Sequence, residues 1–397
     1  MASFRSLFAG LSKDGVNHLG TITVRGKDTQ QISDVQLAAE TKLNVSIWAL
    51  DVSKSGILCG CDDGAIHLLN TELLPIKTYN LAHRGPVTYL LWHTDGIHFL
   101  SVGLDRCVRV WSLSFLNDKS NAPLLSVPHS CAVTAACFAP RAVSIDDSAP
   151  SSVWMFSAGT DGRLRAWRGP LLDQYESVAP AGGGSDRQPS ALAARLDGSA
   201  ALVAVGGQSG HLLIMRFVDG QFLLRAQMHC KNRSGKHSNG ERIVSVCWTA
   251  PDELLVSTHD DRLRLLRYRE RELIPIGKFK GHQSNSKSPL GAYLIRPREG
   301  LASDDESYLI SGSECGHVFI WRRDATAVDS TGEVDTAASF ESFLAVEKPD
   351  RLTACVPAPW EPERIDSQAR LPACSVVATL QGVVRIFYNR GSPISLR

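Results

Sequence analysis

The 397-residue chain lacks the features that mark several common classes of protein. No apolar run approaches the length of about 20 residues that a bilayer crossing requires. Lys and Arg number 42 and Asp and Glu 41, so the net charge of +1 favours neither specific nucleic-acid binding nor strong membrane binding. No Cys-x-x-Cys pair occurs among the ten cysteines, which argues against a zinc site and a disulfide framework. We therefore expect a reduced, cytoplasmic protein.

Sequence motifs of catalysis are also missing. The chain has no Gly-x-x-x-x-Gly-Lys-Ser/Thr phosphate loop, no His-Glu-x-x-His zinc motif and no Gly-x-Ser-x-Gly nucleophile turn. Residues 234–237 and 207–210 approach two of these patterns, but each lacks required positions. We therefore predict a protein that is not an enzyme and has no catalytic, cofactor-binding or metal-binding residues.

What the chain does contain is one motif repeated seven times. A small or apolar residue is followed four positions later by a residue that is usually Asp, then by Gly or Arg, then five positions on by a large side chain. Asp-Gly favours a hairpin turn because Gly tolerates positive φ and Asp bonds its own backbone. The clearest copies are Ser101-Asp105-Arg106-Trp111, Ser157-Asp161-Gly162-Trp167 and Ser311-Cys315-Gly316-Trp321. The weaker copies are Asp63-Gly64-Leu69, Ser209-Gly210-Met215, Asp261-Arg262-Arg267 and Gln381-Gly382-Phe387.

Short apolar runs flank each turn, and a further apolar segment precedes each pair. A four-stranded unit that recurs roughly every 40–45 residues is typical of a β-propeller. We predict an all-β fold, a single seven-bladed propeller over residues 33–390, between an N-terminal segment 1–32 and a short tail 391–397. The last repeat ends near residue 388, so residues 33–40 are expected to supply the outer strand of blade 7 and close the ring.

The motif resembles that of the WD-repeat family. In that family a His, a Ser or Thr, an Asp and a Trp form a hydrogen-bonded chain inside each blade, and the resemblance implies a structural role for the matching residues. Blade 6 has Cys315 where Asp is expected, so its chain should be incomplete. The matching residues are His83, Ser101, Asp105 and Trp111 in blade 2, His129, Ser157, Asp161 and Trp167 in blade 3, and His282, Ser311 and Trp321 in blade 6.

The second half of the chain resembles a narrower group, the propellers of the WD repeat-containing protein 44 group. Animal members of that group resemble effectors of Rab GTPases on recycling endosomes. The resemblance implies an interaction scaffold in membrane traffic, with a Rab-type small GTPase as partner and peripheral attachment to endosomal membranes. It rests on residues 240–246, 252–265, 278–290, 308–321, 339–344 and 356–360.

A second interpretation is a substrate-recognition or scaffold subunit of a multiprotein complex such as a ubiquitin ligase. Adaptor-binding propellers often carry Trp-Asp-x-Arg after the repeat, and none of the three repeat tryptophans is followed by Asp here. Either function would use the face built by the turns between second and third strands, where basic side chains are candidates because Arg is enriched at interfaces. Those candidates are Arg84, Arg106, Arg163, Arg262 and His317.

Overall fold

The computed structural model is a ring of seven β-sheets. Each sheet is one blade, and the first strands of successive blades pack side by side around a central channel, with the seventh blade against the first. The described residues contain no α-helix, so none of them forms a helix that could cross a membrane. The structure describes residues 30–31, 35–113, 122–140, 153–168, 174–177, 188–231, 240–282, 290–295, 307–323, 336–337, 341–359 and 374–389.

The strands follow the predicted repeat. β1 (Gln30–Gln31) and β2 (Val35–Lys42) come before the first blade. Blades 1 and 2 contain β3 (Ile47–Ser53), β4 (Gly56–Cys61), β5 (Ile66–Leu69), β6 (Pro75–Tyr79), β7 (Val87–Trp92), β8 (His98–Gly103), β9 (Cys107–Ser112) and β10 (Leu125–Pro128). Blades 3 and 4 contain β11 (Val133–Phe138), β12 (Val153–Gly159), β13 (Leu164–Arg168), β14 (Gln174–Ser177), β15 (Pro189–Asp197), β16 (Ala200–Gly207), β17 (His211–Val218) and β18 (Gln221–His229).

Blades 5 to 7 complete the ring. Blade 5 contains β19 (Ile243–Ala250), β20 (Glu253–Thr258), β21 (Arg262–Arg269) and β22 (Glu272–Lys280). Blade 6 contains β23 (Ala292–Ile295), β24 (Tyr308–Gly312) and β25 (His317–Arg322), and after β26 (Thr336–Ala337) its outer strand is β27 (Glu341–Leu344). Blade 7 contains β28 (Leu352–Pro357), β29 (Cys374–Thr379) and β30 (Val383–Asn389).

The second strand of a blade is the most buried. Every residue of β4 and of β16 is buried, because such a strand has neighbours on both edges and adjacent blades on both faces. A strand buried on both faces appears in sequence as a continuous apolar run rather than an alternating one. Outer strands such as β18 are mostly exposed or half-buried, with only Phe222 and Ala226 buried in β18, since one edge and part of the faces meet solvent. The apolar core therefore lies in layers between blades.

An N-terminal strand closes the ring, as the repeat count predicts. β2 pairs antiparallel with β30, with Val35 opposite Asn389 and Lys42 opposite Val383, and forms the fourth strand of blade 7. The Leu43 amide then donates a 2.8 Å hydrogen bond to the Gly382 carbonyl as the chain leaves this strand. Closure removes the open edge that blade 7 would otherwise present.

Two short segments that the repeat did not predict extend the blades. β26 pairs in parallel with β22, with Thr336 opposite Lys278, and gives blade 5 a fifth strand. β1 pairs in parallel with β27, with Gln30 opposite Glu341, and does the same for blade 6. Two-residue pairings carry no hydrophobic periodicity, so nothing in the sequence marks them.

The blade-5 turn corrects the register of one repeat. In all seven blades the residue after the repeat aspartate position has positive φ, and in blade 5 that residue is Asp261, with φ of 62°. Asp260 therefore holds the aspartate position, and Leu266, only 1% exposed, holds that of the large side chain. The predicted copy Asp261-Arg262-Arg267 was one residue out of register. The motif favoured Asp261 because Arg262 follows it, whereas the structure places a non-glycine residue, Asp261 itself, at the positive-φ position.

Candidate functional site

Blade 2 contains the complete hydrogen-bond chain. The Trp111 indole can only donate, and its Nε1–H donates to Ser101 Oγ at 2.9 Å. Ser101 Oγ lies 2.7 Å from His83 Nε2, so the hydroxyl donates onward to the imidazole. His83 Nδ1 lies 2.9 Å from Asp105 Oδ1. The chain thus connects the core of the blade to its exposed turn.

Arg109 joins the end of this chain. Its guanidinium lies 2.7 Å from Asp105 Oδ2 and 2.6 Å from His83 Nδ1. A guanidinium cannot accept a hydrogen bond, and Nδ1 already donates to Asp105. The Asp105 carboxylate therefore accepts one hydrogen bond from each of these two side chains. Burial opposes ionisation of Asp105, but hydrogen bonds from His83 and Arg109 outweigh it and hold the pKa of Asp105 well below its ordinary value. Burial also lowers the pKa of His83, which keeps the ring neutral.

Blade 3 joins only three of its four predicted residues. Trp167 Nε1 donates to Ser157 Oγ at 2.8 Å, and Ser157 Oγ lies 2.8 Å from His129 Nε2. His129 Nδ1 points to the carbonyl of Val127 on its own strand, at 3.3 Å. Asp161 therefore lies outside the chain, contrary to the expectation, because a main-chain carbonyl takes the imidazole proton.

The residues predicted for blade 6 are not joined to one another. Trp321 Nε1 donates to the Lys280 carbonyl at 2.8 Å, and Ser311 Oγ donates to main-chain carbonyls, that of Gly291 at 3.3 Å among them. His282 is 2% exposed, and neither of its ring nitrogens has a hydrogen-bond partner among the described residues. These three side chains contribute packing without the shared hydrogen bonds.

Blade 6 differs from blade 2 at two positions of this turn. A Cβ placed on Gly103 of blade 2 would lie 2.4 Å from His83 Nδ1, so the imidazole occupies space that only glycine leaves open. Blade 6 has Ser313 at the corresponding position, and Cys315 in place of the carboxylate. His282 therefore has neither the space nor the acceptor that His83 has. The repeat motif includes the position of Cys315 but not that of Ser313, although Ser-Val-Gly in blade 2 and Ser-Gly-Ser in blade 6 differ visibly.

Three blades share an ion pair that the repeat motif does not include. In each of these blades, an Arg near the start of the third strand forms an ion pair with the aspartate four residues before it. The spacing Asp-x-x-x-Arg is visible in the sequence and would have revealed them. The pairs are Arg109–Asp105 at 2.7 Å, Arg165–Asp161 at 2.5 Å and Arg264–Asp260 at 3.2 Å.

The predicted basic residues lie at one end of the propeller, which we call the turn face. It is formed by the turns between second and third strands and by the connections that enter each blade. Connection and turn are bonded together, as when the His129 amide donates to the Arg106 carbonyl at 2.9 Å. Arg84 and Arg106 are both exposed and flank the same turn, and the Arg84 amide donates to Asp105 Oδ2 at 3.1 Å. These two candidates are brought together.

The other three candidates lie in separate blades. Arg163 is exposed in the turn of blade 3. Arg262 is not a free cation, since its guanidinium lies 2.8 Å from Asp260 Oδ2. His317 is half-buried in blade 6, with Nδ1 3.5 Å from Cys315 Sγ. Of the five predicted partner-binding residues, Arg262 and His317 therefore have local partners, and Arg84, Arg106 and Arg163 are exposed.

The first strands enclose a channel of about 680 Å³. Its lining is mostly apolar and includes the aromatic residues Trp48, Tyr89, Trp248 and Tyr293. Asp51 projects from β3 into this lining, and burial raises its pKa to about 7 although two main-chain amides oppose the rise. A largely apolar cavity with a few convergent polar groups is a common form of ligand site. The motif did not indicate this carboxyl group, because Asp51 lies within the mostly apolar sequence of β3.

One group of side chains among the described residues could hold a metal ion: His93, Asp95 and His98. Both imidazole Nδ1 atoms lie 2.8 Å from Asp95 Oδ2, a donor set that suits a borderline cation such as Zn²⁺. Asp95 Oδ1 accepts the amide protons of Ile97 and His98, at 2.8 and 3.0 Å, which fixes the turn between β7 and β8. Hydrogen bonds within the turn already use the polar atoms of this group, so holding the turn in place is enough to explain the three residues.

Comparison with known proteins agrees with this geometry. A family model described as "WD domain, G-beta repeat" matches residues 74–112, which include Ser101, Asp105 and Trp111 of the complete chain in blade 2. The protein is a seven-bladed β-propeller with a match to the WD repeat in blade 2. The β-propeller domain of Cps50 (Swd1) from Myceliophteria thermophila has a TM-score of 0.59 and 15% identity, and the match covers 89% of this chain and 99% of that one. At this identity the likeness concerns the fold alone.

Similar sequences come from larger proteins. WD repeat-containing protein 44 of Xenopus laevis is 27% identical over 290 residues, which are 69% of this chain and 27% of the Xenopus protein. A p21-activated protein kinase-interacting protein 1-like of Gallus gallus is 33% identical over 128 residues, 30% of this chain and 35% of that protein. The chain therefore matches about a quarter to a third of the length of these relatives. WD-repeat propellers are in general non-enzymatic scaffolds that bind other proteins.

Proposed function

We propose that this WD-repeat propeller is a non-enzymatic interaction platform in membrane traffic that recognises a Rab-type small GTPase in its GTP-bound form. The similarity to WD repeat-containing protein 44 supports this choice, since animal members of that group resemble Rab effectors. In this proposal the protein is cytoplasmic and reaches endosomal membranes through its partner. The turn face supplies the contact.

The observation that carries the proposal is the backbone of Arg106. Its φ is 64°, in the left-handed region that five other blades fill with glycine. A non-glycine residue there costs roughly 1–2 kcal/mol. Arg106 nevertheless keeps an exposed guanidinium at this position. Backbone strain retained at an exposed charged residue is a reason to look for function there.

The neighbourhood of Arg106 leaves a net positive patch. Asp105, the acid between Arg84 and Arg106 in the turn, has a side chain only 7% exposed and already receives protons from His83 and Arg109. It therefore does little to screen the exposed guanidinium groups. Two adjacent exposed cations favour an acidic partner surface and raise the rate of encounter with it.

The test is retention by a panel of Rab-family GTPases, each loaded with a GTP analogue or with GDP. We expect one or a few GTP-loaded members to bind, and the double variant Arg84→Glu/Arg106→Glu to abolish that binding. Lys54→Glu/Arg271→Glu is the matched control, because it makes the same charge change at exposed turns on the opposite face. Absence of binding to every member, with the propeller shown to be folded, would contradict the proposal.

A further inference from the structure

Blade 6 departs from the repeat at two positions that lie together. Ser313 replaces the glycine that leaves room for an imidazole in blade 2, and Cys315 replaces the aspartate. Ser313 Oγ lies 3.0 Å from Cys315 Sγ, and His317 Nδ1 lies 3.5 Å from the same sulfur. The thiol therefore contacts both a hydroxyl and an imidazole.

The turn geometry of blade 4 shows that the contact is a property of this turn. There Ser209 holds the aspartate position and His211 follows two residues later, with 2.9 Å between Oγ and Nδ1. Cys315 and His317 hold the same two positions in blade 6. In both turns the side chain at the aspartate position contacts the imidazole of the residue two positions later. In blade 6 that side chain is a thiol, which is a nucleophile as its thiolate.

The electrostatics of the pair agree with its geometry. Burial alone raises the pKa of the Cys315 thiol, but hydrogen bonds with His317 and Ser313 outweigh it, so this pKa falls below its ordinary value. The bond to Cys315 raises the pKa of His317 against the effect of burial. The two directions agree, because a thiolate and an imidazolium stabilise each other.

The geometry points to Cys315 as a reactive thiol on the turn face, a modification site whose thiolate is stabilised by His317 and takes soft electrophiles or peroxide. Both residues are partly exposed, so a small reagent can reach the sulfur. Five of the described cysteines are instead buried, and burial raises the thiol pKa of Cys59, Cys61, Cys137, Cys230 and Cys355. The site is assigned by its chemistry and does not depend on the proposed GTPase partner.

With hydrogen peroxide the step is balanced. The Cys315 thiolate attacks one peroxide oxygen, an S–O bond forms, the O–O bond breaks and hydroxide leaves. The hydroxide takes the proton of the His317 imidazolium and becomes water. The products are the sulfenic acid of Cys315, neutral imidazole and water, and the oxidant is the peroxide itself.

The chain offers a matched control in Cys107. This residue directly follows the corresponding turn of blade 2, as the first residue of β9, and is also partly exposed, but burial and the nearby Asp105 carboxylate raise its pKa. We would treat the folded protein with iodoacetamide at several pH values and follow both thiols by peptide mass spectrometry. Cys315 is expected to react at least threefold faster than Cys107 at pH 7, with a pH midpoint below that of Cys107. The larger thiolate fraction of Cys315 raises its reaction rate, but a thiolate of lower pKa is a weaker nucleophile, and this offsets part of the increase.

His317→Gln separates reactivity from exposure. The variant keeps a polar side chain at the turn but has no imidazolium, so the pH midpoint of Cys315 is expected to rise and its rate at pH 7 to fall toward that of Cys107. A sulfenic-acid probe after peroxide treatment should label wild type, and should fail to label Cys315→Ser at this position. Equal rates for Cys315 and Cys107, or no effect of His317→Gln in a protein with unchanged melting temperature, would overturn the inference.

Discussion

The amide of Trp92 donates a 2.6 Å hydrogen bond to Asp51 Oδ2 across the boundary between blades 1 and 2. The carboxyl borders the channel and is surrounded by protein, and burial raises its pKa to about 7 from 3.8. The native state thus holds a proton that the unfolded state releases. Asp51 therefore destabilises the fold progressively as the pH rises from about 4 to about 7, and no further above that window.

Asp51→Asn should remove this pH dependence. The amide oxygen can still accept the Trp92 proton, while the charge is lost. A shift of about three pKa units corresponds to roughly 4 kcal/mol, so the variant should be more stable at pH 8 by up to that amount. The difference should fall to about 1 kcal/mol at pH 4.5, where part of the unfolded population still holds the proton. Urea unfolding at both values checks this, with the exposed turn variant Asp219→Asn as control; an equal difference at both pH values would contradict it.

Removing the hydroxyl of Ser101 should cost more than removing that of Ser311. Ser101 links Trp111 to His83, so Ser101→Ala leaves a buried indole N–H and an imidazole nitrogen without partners. We expect a loss of about 1–3 kcal/mol. Ser311 donates only to main-chain carbonyls, so Ser311→Ala should lose less than about 1 kcal/mol. Similar losses in thermal unfolding would show that the hydrogen-bond chain adds nothing beyond burial.

Arg106→Gly should separate stability from binding. The substitution relieves a left-handed φ of 64° but makes the unfolded chain more flexible, so we expect a net gain of about 0–1 kcal/mol. The proposed partner should nevertheless be captured less well. Asp261→Gly is the matched control, since Asp261 has φ of 62° in blade 5 and is not a cation. If both variants bind like wild type, Arg106 has no part in recognition.

Charge reversal at Arg262 should destabilise the protein. Arg262 and Arg264 share the Asp260 carboxylate, whose side chain is 8% exposed, and these partners hold the Asp260 pKa at about 2 against burial. Arg262→Glu would bring a second carboxylate to that site. We expect a loss of about 1–3 kcal/mol in thermal unfolding. Arg163→Glu, at the corresponding turn of blade 3, should have a smaller effect on stability.

The repeat was predictable because it is local. Apolar runs define the strands, Asp-Gly pairs define the turns, and seven copies imply a ring. A missing fourth strand in the last copy also implies that an earlier segment closes it, and β2 does so. Ser101, Asp105 and Trp111 were recognisable for the same reason, since their spacing is fixed by one hairpin.

The sequence by itself therefore determined the strand repeat, the turns and the closure of the ring. Only the tertiary structure decided which polar groups meet. Trp321 donates to the Lys280 carbonyl instead of joining Ser311 and His282, and Asp51 is a buried acid because the first strands of the seven blades enclose a channel. Both outcomes depend on distances of a few ångströms between residues far apart in sequence, and a periodic pattern carries no information about such distances.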